Sequence, residues 1–297
     1  MSRIVRVAAA QYPIEWLADR QAWRDKLTRW VAEAAGAGAQ LLLFPEYAVM
    51  ETASLFPAPV PGDLALQLAA VADSIDEVDA IHRELAGTYG VWIVAGSAPV
   101  RQGDGFRNRA RLFAPSGATG VQDKVVMTRF EREQWHVGGG DRLTVFDTPL
   151  GKLAITICYD VEFPLLAHRA AAAGVELLLA PSCTDTARGY WRVRTGAQAR
   201  ALEHQIAVVH APTVGTAPWS PALDVNVGAA AVYVPPDLDF PDDGVLAIGV
   251  RDQPCWVHAA VDLDRLARCR RDGDVLNARD WPEQQLAADA LDTLALQ

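Results

Sequence analysis

Cysteine is scarce in this 297-residue chain: Cys158, Cys183, Cys255 and Cys269 are the only four, and no two stand in Cys-x-x-Cys spacing. That excludes a disulfide framework. With six scattered histidines it also leaves no zinc or thiol-disulfide pattern, so no metal and no cofactor is expected. Apolar runs of the ~18 residues a membrane helix needs are missing, and the first ten residues hold no apolar segment of a secretory leader. Reduced thiols, a cytoplasmic location and no membrane partner are the expectation. Clusters of Lys and Arg are lacking too. A formal net charge of -10 and a pI near 5.1 speak against a nucleic-acid or anionic-membrane surface.

What the chain does have is enough apolar residues for a large core. It is 51% hydrophobic and 22% charged, and a chain this long fits one α/β domain. The stretch Gly151 to Pro164 organises it. Leu153, Ile155 and Ile157 alternate with Ala154 and Thr156 in a buried-strand pattern that stops at Cys158. Asp160, Glu162 and Pro164 follow, and 165–174 is alanine-rich with Pro at its first turn, a helix signature. The result is a strand-to-helix elbow with a thiol at the bend. A helix N-terminus beyond the sulfur favours a thiolate relative to the ordinary thiol value of ~8.5. Taken alone, a cysteine at a strand end is more often a buried structural residue than a nucleophile.

Ahead of the elbow, 4–9 reads as a strand, 18–36 as a helix through Trp23, Leu27, Trp30, Val31 and Ala34, and 40–44 as a strand covered on both faces. Glu46 thus stands at a strand's C-terminal end, as a functional carboxylate or as a solvated loop residue. One or two helices are predicted over 64–89 and a strand over 91–97. An antiparallel pair follows over 106–113 and 120–128, around a Pro115-Ser116-Gly117 turn. Lys124 falls inside the second of these strands, where it is either paired with a carboxylate or carried on the polar face. The stretch 130–141, with Glu131, Glu133, Trp135 and Gly138-Gly139-Gly140, is predicted to be a shaped loop. Its glycines lack the strand, helix and Lys-Ser/Thr of a phosphate loop. Beyond the elbow, strands are predicted over 175–180, 206–211, 228–234 and 257–261 and a helix over 191–204, with Pro- and Asp-rich loops over 212–227 and 235–244. Three strands then end near Glu46, Cys158 and Thr184, and in open α/β sheets chemistry collects at such ends.

Phe44-Pro45-Glu46-Tyr47, Asp123-Lys124 and Ile157-Cys158-Tyr159-Asp160 with Glu162-Phe163-Pro164 resemble, in order and spacing, the three signatures of the nitrilase, or carbon-nitrogen hydrolase, superfamily. The likeness spans nearly the whole chain and extends to Asn108, Pro181-Ser182-Cys183-Thr184 and Arg200-Ala201-Leu202-Glu203. More narrowly, Met127 to Trp135 and Gly189 to Arg194 are similar to an amidase- and carbamoylase-like branch whose members often carry an acetyltransferase domain ahead of the hydrolase. The chain starts at the hydrolase's first strand, so the expectation is a hydrolase without that domain.

The resemblance implies an α/β fold, a four-layer αββα sandwich. It spans 1–270, with a C-terminal tail over 271–297 expected to pack on a partner subunit of a homodimer or larger homo-oligomer. It also implies a catalytic set of Cys158 as nucleophile, Glu46 as base and Lys124 as oxyanion partner, the last aided by the Tyr159 N–H. Relatives place a second glutamate after the lysine. Glu133 is favoured over Glu131, because Glu133-Gln134-Trp135 followed by Gly138 resembles the Glu-x-Trp-x-x-Gly arrangement of aliphatic amidases. Tyr159, Trp135, Thr184 and Trp191 are expected to contact the substrate, and Arg192 and Arg194 are candidates for a carboxylate on it. The implied substrate is a small linear amide or N-carbamoyl compound. Nitriles are the alternative, disfavoured because nitrile-cleaving members commonly follow the cysteine with Trp-Glu. A catalytically silent binding protein on the same fold would be expected to have lost one of the three residues.

Overall fold

Alternation in the first strand decides the layering. In the computed structural model, which describes residues 2–288 and 292–295, strand β1 (Ile4–Pro13) sends Val5, Val7 and Ala9 to one core and Ala8, Ala10 and Tyr12 to another. Successive side chains of a strand point to opposite faces, so a strand apolar on both faces must be covered on both. Helix α1 (Arg20–Gly36) supplies one cover. It starts where the Asp19 carboxylate accepts the Ala22 N–H, and it buries Trp23, Leu27, Val31 and Ala34 at helical spacing. Strand β2 (Leu41–Leu43) repeats the division, with Leu41 and Leu43 on the inner side and Leu42 on the side of the helices. Helices α2 (Leu64–Asp73) and α3 (Ile75–Tyr89) complete that outer layer through Leu68, Val71, Val78 and Leu85. Strands β3 (Trp92–Gln102), β4 (Gly105–Phe113) and β5 (Thr119–Asp123) follow, the last two as the expected antiparallel hairpin.

After a short helix α4 (Arg129–Glu133) and a two-residue strand β6 (Val137–Gly138), the second half builds its own sheet. Its elements are β7 (Val145–Thr148), β8 (Gly151–Ile155), α5 (Pro164–Ala172), β9 (Leu177–Ser182), α6 (Ala187–His204) and β10 (Ala207–Thr216). Strands β11 (Val225–Asn226), β12 (Ala231–Tyr233), β13 (Val245–Ile248) and β14 (Cys255–Asp262) come after them. The first sheet runs β5-β4-β3-β2-β1-β14 and the second β7-β8-β9-β10-β12-β13. They join where the end of β1 pairs with β10, Tyr12 to Thr213 and Pro13 to Val214. Val7, Leu43 and Leu112 of the first sheet share a core with Leu153, Leu179 and Val209 of the second, and α5 and α6 cover the outer face with Ala167, Val193 and Ala197. This is the four-layer αββα sandwich.

Several boundaries differ from the sequence reading. The strand expected over 120–128 ends at Asp123, so Lys124 lies just past a strand rather than inside one. The stretch 130–141 is not all loop but holds α4 and β6. Helix α6 begins at Ala187, because Thr186 caps it by accepting the Gly189 N–H. The loop expected over 212–227 is shortened by the continuation of β10 to Thr216, and β7 and β13 have apolar patterns too brief to stand out. In the tail, helices α7 (Leu263–Asp272), α8 (Asn277–Asp280) and α9 (Glu283–Ala288) are described, and the expected tail's positions 289–291 and 296–297 lie outside the described residues. Trp281 of the tail stacks on His168 of α5 at 4.8 Å and meets His204 of α6 at 4.7 Å, so this part of the tail covers its own chain's outer helices. Among the described residues, no helix is long and apolar enough to cross a membrane.

The loop after β2 is seated on β3. Gly96 has φ +68 at an irregularity in the β3–β4 pairing, and a Cβ built there would stand 1.9 Å from the Pro45 carbonyl oxygen. Next to it, the Ser97 hydroxyl accepts the Tyr47 N–H at 3.1 Å. Gly96→Ala combines backbone strain with an unavoidable clash, so it should destabilise the fold by about 2–4 kcal/mol in denaturant unfolding. An unchanged midpoint would show that the loop around Glu46 does not rest on this glycine.

Candidate active site

Cys158 sits where the sequence put it, one short step beyond β8. Its φ of 50° is left-handed, a conformation that costs a residue with a Cβ and turns its side chain out of the strand direction. A 3₁₀ turn over Cys158–Glu162 and the Pro164 start of α5 follow. The sulfur is buried, and its thiol donates to the Cys183 carbonyl at 3.7 Å. The expectation of a thiol tuned downward by a helix N-terminus does not hold. Burial, and next the facing Glu46 carboxylate, push the Cys158 thiol well above its usual range, so the resting group is S–H.

Glu46 follows Pro45 at the end of β2 and is buried. Its Oε1 accepts from Lys124 Nζ at 2.7 Å and from Asn108 Nδ2 at 2.9 Å, and its Oε2 accepts the Cys183 backbone N–H at 2.9 Å. Burial raises its pKa to about 7 even though Lys124 opposes the shift. Lys124, also buried, donates as well to Glu131 Oε2 at 2.5 Å. Burial alone would favour a neutral amine, but Glu131 and Glu46 hold the ammonium protonated, well above an ordinary lysine.

The second glutamate in this cluster is therefore Glu131, not Glu133. Its Oε1 accepts from the Tyr47 hydroxyl at 2.8 Å and from Asn108 Nδ2 at 3.0 Å, while Oε2 also takes the Thr128 N–H at 3.0 Å and the Thr128 hydroxyl at 2.8 Å. Burial works against this carboxylate. Lys124, the Thr128 N–H and the Tyr47 hydroxyl nevertheless bring it below the usual range. Glu133 points elsewhere, 55% exposed and paired with Arg129 at 2.8 Å. The reason is helical: two residues along a helix turn the side chain by about 200°, so only one of the pair can face Lys124. A signal for this was present in Thr128-x-x-Glu131, a capping box that folds the third residue's carboxylate back over the chain entering the helix.

The glycine triplet has a role besides loop shape. The Gly140 N–H donates to the Lys124 carbonyl at 2.7 Å, and Cβ atoms at Gly139 and Gly140 would press on Val125 O at 2.6 Å and Asp123 Cβ at 2.9 Å. The triplet straps the Lys124 segment from outside while the Lys124 N–H donates to Asn108 O at 2.8 Å on the other side.

Cys158, Glu46, Lys124 and Glu131 form the inner end of a cavity of about 790 Å³. Tyr159, Trp135 and Thr184 line it as expected; Trp135 packs on Tyr47 at 5.0 Å, and the Thr184 hydroxyl is committed to the Val227 carbonyl at 2.7 Å. Trp191 does not line it. It sits on the outer side of α6 with the Arg194 guanidinium 4.8 Å above its ring, which removes Arg194 from the cavity too. Arg192 remains at the wall, 3.5 Å from Glu162. Among the described residues, no group of three or more His, Cys, Asp or Glu is arranged to hold a metal ion. A shielded thiol facing a carboxylate of raised pKa, with a fixed ammonium beside both, is suited to proton abstraction from sulfur and to stabilising negative charge on a reacting oxygen.

Comparison with known proteins bears on the family and the fold. Residues 6–245 match the family model for carbon-nitrogen hydrolases. The chain is 33% identical over 276 residues to a probable hydrolase, YhcX, of Bacillus subtilis, covering 93% of this chain and 53% of that protein, so it spans about half the relative's length. It is 30% identical to the bifunctional nitrilase/nitrile hydratase NIT4B of Nicotiana tabacum, over 89% of this chain and 80% of that one. The crystal structure of an amidase from Nesterenkonia sp. superposes with a TM-score of 0.70 at 26% identity, covering 94% of this chain and 97% of the other.

Substitution separates the two glutamates. Glu131→Gln should cut turnover by about a hundredfold, the scale of a lost polar partner in a catalytic site, while Glu133→Gln stays near wild type. The reverse result, measured on one substrate, would contradict the placement of α4.

Proposed function

Because this chain belongs to the carbon-nitrogen hydrolase family of the nitrilase superfamily, we propose that it cleaves a primary amide or N-carbamoyl group of a small molecule through a thioester on Cys158. The observation that carries this reading is the shared buried hydrogen-bonded cluster of Glu46 and Lys124 against the Cys158 thiol, built from three separate stretches of chain at the floor of one cavity.

In the proposed reaction Glu46 takes the thiol proton as the sulfur attacks the carbonyl carbon, and the new oxyanion is met by Lys124 Nζ and the Tyr159 N–H. Glu46 then returns the proton to the leaving nitrogen, the carbon-nitrogen bond breaks, and ammonia departs from a primary amide or an amine from an N-carbamoyl compound. A water gives its proton to Glu46 and its oxygen to the acyl or carbamoyl carbon; the carbon-sulfur bond breaks, the carboxylic or carbamic acid leaves, and the proton returns to sulfur. A thiol of raised pKa suits this sequence, since the proton moves only as the new bond forms and no free thiolate waits in the resting enzyme. The 26% identity to a Nesterenkonia amidase supports the amide reading, and the NIT4B relative is the reason to include nitriles in the test.

An ammonia-release screen over primary amides, N-carbamoyl compounds and nitriles should give turnover with amides or carbamoyl compounds and none with Cys158→Ala. Iodoacetamide should modify Cys158 ahead of Cys183, Cys255 and Cys269, as read by peptide mass. Full activity in Cys158→Ala, or labelling of Cys183 alone, would overturn the reading. The pH dependence has a definite sign. Glu46 must be ionised to accept the proton, so with a pKa of about 7 kcat/KM should rise as pH increases through that value; a flat profile across about pH 6 to 8 would remove Glu46 as the base.

A further inference from the structure

Lys124 and Cys158 are carried by different sheets, and one side chain ties their segments together. Asp160 is buried two residues beyond the cysteine. Its Oδ1 accepts the Val126 N–H at 2.8 Å, both oxygens share the Val125 N–H at 3.2 and 3.1 Å, and Oδ2 accepts the Ile157 N–H at 3.2 Å. Val125 follows Lys124 and Ile157 precedes Cys158, so the carboxylate bonds to the immediate neighbours of both.

From these contacts we propose that Asp160 is a positioning residue that sets the distance between the Lys124 ammonium and the Cys158 sulfur by holding the two backbones in register. The inference rests on the roles given above to Cys158 and Lys124. Capping the turn at the cysteine needs one acceptor, for the Ile157 N–H. Asp160 does more. Strand β5 has ended at Asp123, so the Val125 and Val126 N–H groups lie beyond that strand, and the carboxylate takes them as well. A carboxylate is acceptor-only through two oxygens, whereas a carboxamide has one acceptor oxygen and an NH₂ that would face N–H groups. Asparagine can therefore keep one side of the bridge and must release the other. The contact kept is the one within its own turn, to the Ile157 N–H, so the segment released is the one that carries the ammonium, and a displacement of about 1 Å at that group can cost about a hundredfold in rate.

The test is Asp160→Asn, with turnover and Cys158 alkylation measured on the same preparation. Alkylation by iodoacetamide needs the thiol and its base but not the oxyanion geometry. The expected result is a kcat lower by about a hundredfold, with KM and the alkylation rate each within about threefold of wild type. A general loosening of the fold would instead change alkylation and turnover together, and that outcome overturns the proposal, as does a folded variant with wild-type kcat. Should Asp160→Asn fail to fold, Asp160→Glu keeps the charge and both oxygens but moves them by one methylene. The same split between kcat and alkylation is expected, and wild-type kcat in it overturns the proposal. Cys158→Ala and Lys124→Ala run alongside: activity in those variants would defeat the hydrolase reading itself, whereas inactivity in them beside an unimpaired Asp160→Asn would defeat the inference about Asp160 alone.

Discussion

A single ammonium held between two buried carboxylates is the interaction on which the rest of this site depends. Lys124 reaches Glu46 at 2.7 Å and Glu131 at 2.5 Å, all three side chains being nearly inaccessible to water. Removing such charges from water costs several kcal/mol each and is tolerated only when partners meet the remaining lone pairs and protons. Here they do. Asn108 Nδ2 bridges the two carboxylates, the Tyr47 and Thr128 hydroxyls close on Glu131, and the Cys183 N–H closes on Glu46.

That requirement explains why so much of the fold converges on one point. The carboxylate of Glu46 comes from the end of β2, Asn108 from β4, Lys124 from the residue after β5, Glu131 from α4 and the Cys183 N–H from the residue after β9. None of these backbones is free to drift: Gly96 admits the Pro45 carbonyl, the Gly140 N–H donates to the Lys124 carbonyl at a close approach that a Cβ there would block, and Asp160 links that segment to the cysteine turn. The left-handed φ angles of Tyr47 and Cys158 fall next to Glu46 and at the thiol, where surrounding contacts over-determine the backbone.

The parts of this legible in sequence were those with a strong local period or a punctuating residue. The β8 alternation ending at Cys158, the apolar run before Pro45-Glu46 and the Pro-Ser-Gly hairpin all formed, because each is set by burial or turn chemistry within a few residues. Glu133 was favoured over Glu131 on its likeness to a Glu-x-Trp-x-x-Gly arrangement, and such a match does not say which face of the five-residue helix α4 meets Lys124. Its only local mark is the Thr128 cap, which decides the face on its own. Asp160 was visible as a letter in a motif, but its partners at Val125 and Val126 lie 35 and 34 residues away and no pattern along the chain points to them. The direction of the thiol shift was missed for a similar reason: the helix-terminus argument is local, whereas burial and the facing Glu46 come from the assembled fold.

The two carboxylates share one cation yet are pushed in opposite directions, Glu46 up to about 7 and Glu131 below the usual range. The difference follows from what else each accepts. Glu131 is surrounded by donors on both oxygens, hydroxyls and a backbone N–H besides the ammonium, so its charge is fixed. Glu46 lies against the thiol and its burial is less fully compensated, so a proton on it is nearly as stable as its charge at neutral pH. When environments separate a pair of titratable groups in this way, the group nearer neutrality is suited to exchange protons and the other to remain a permanent anion. Glu131 then keeps Lys124 charged and in place whether or not Glu46 holds a proton, which is what the proposed cycle, with that other carboxylate neutralised and restored, asks of the positive end of the site.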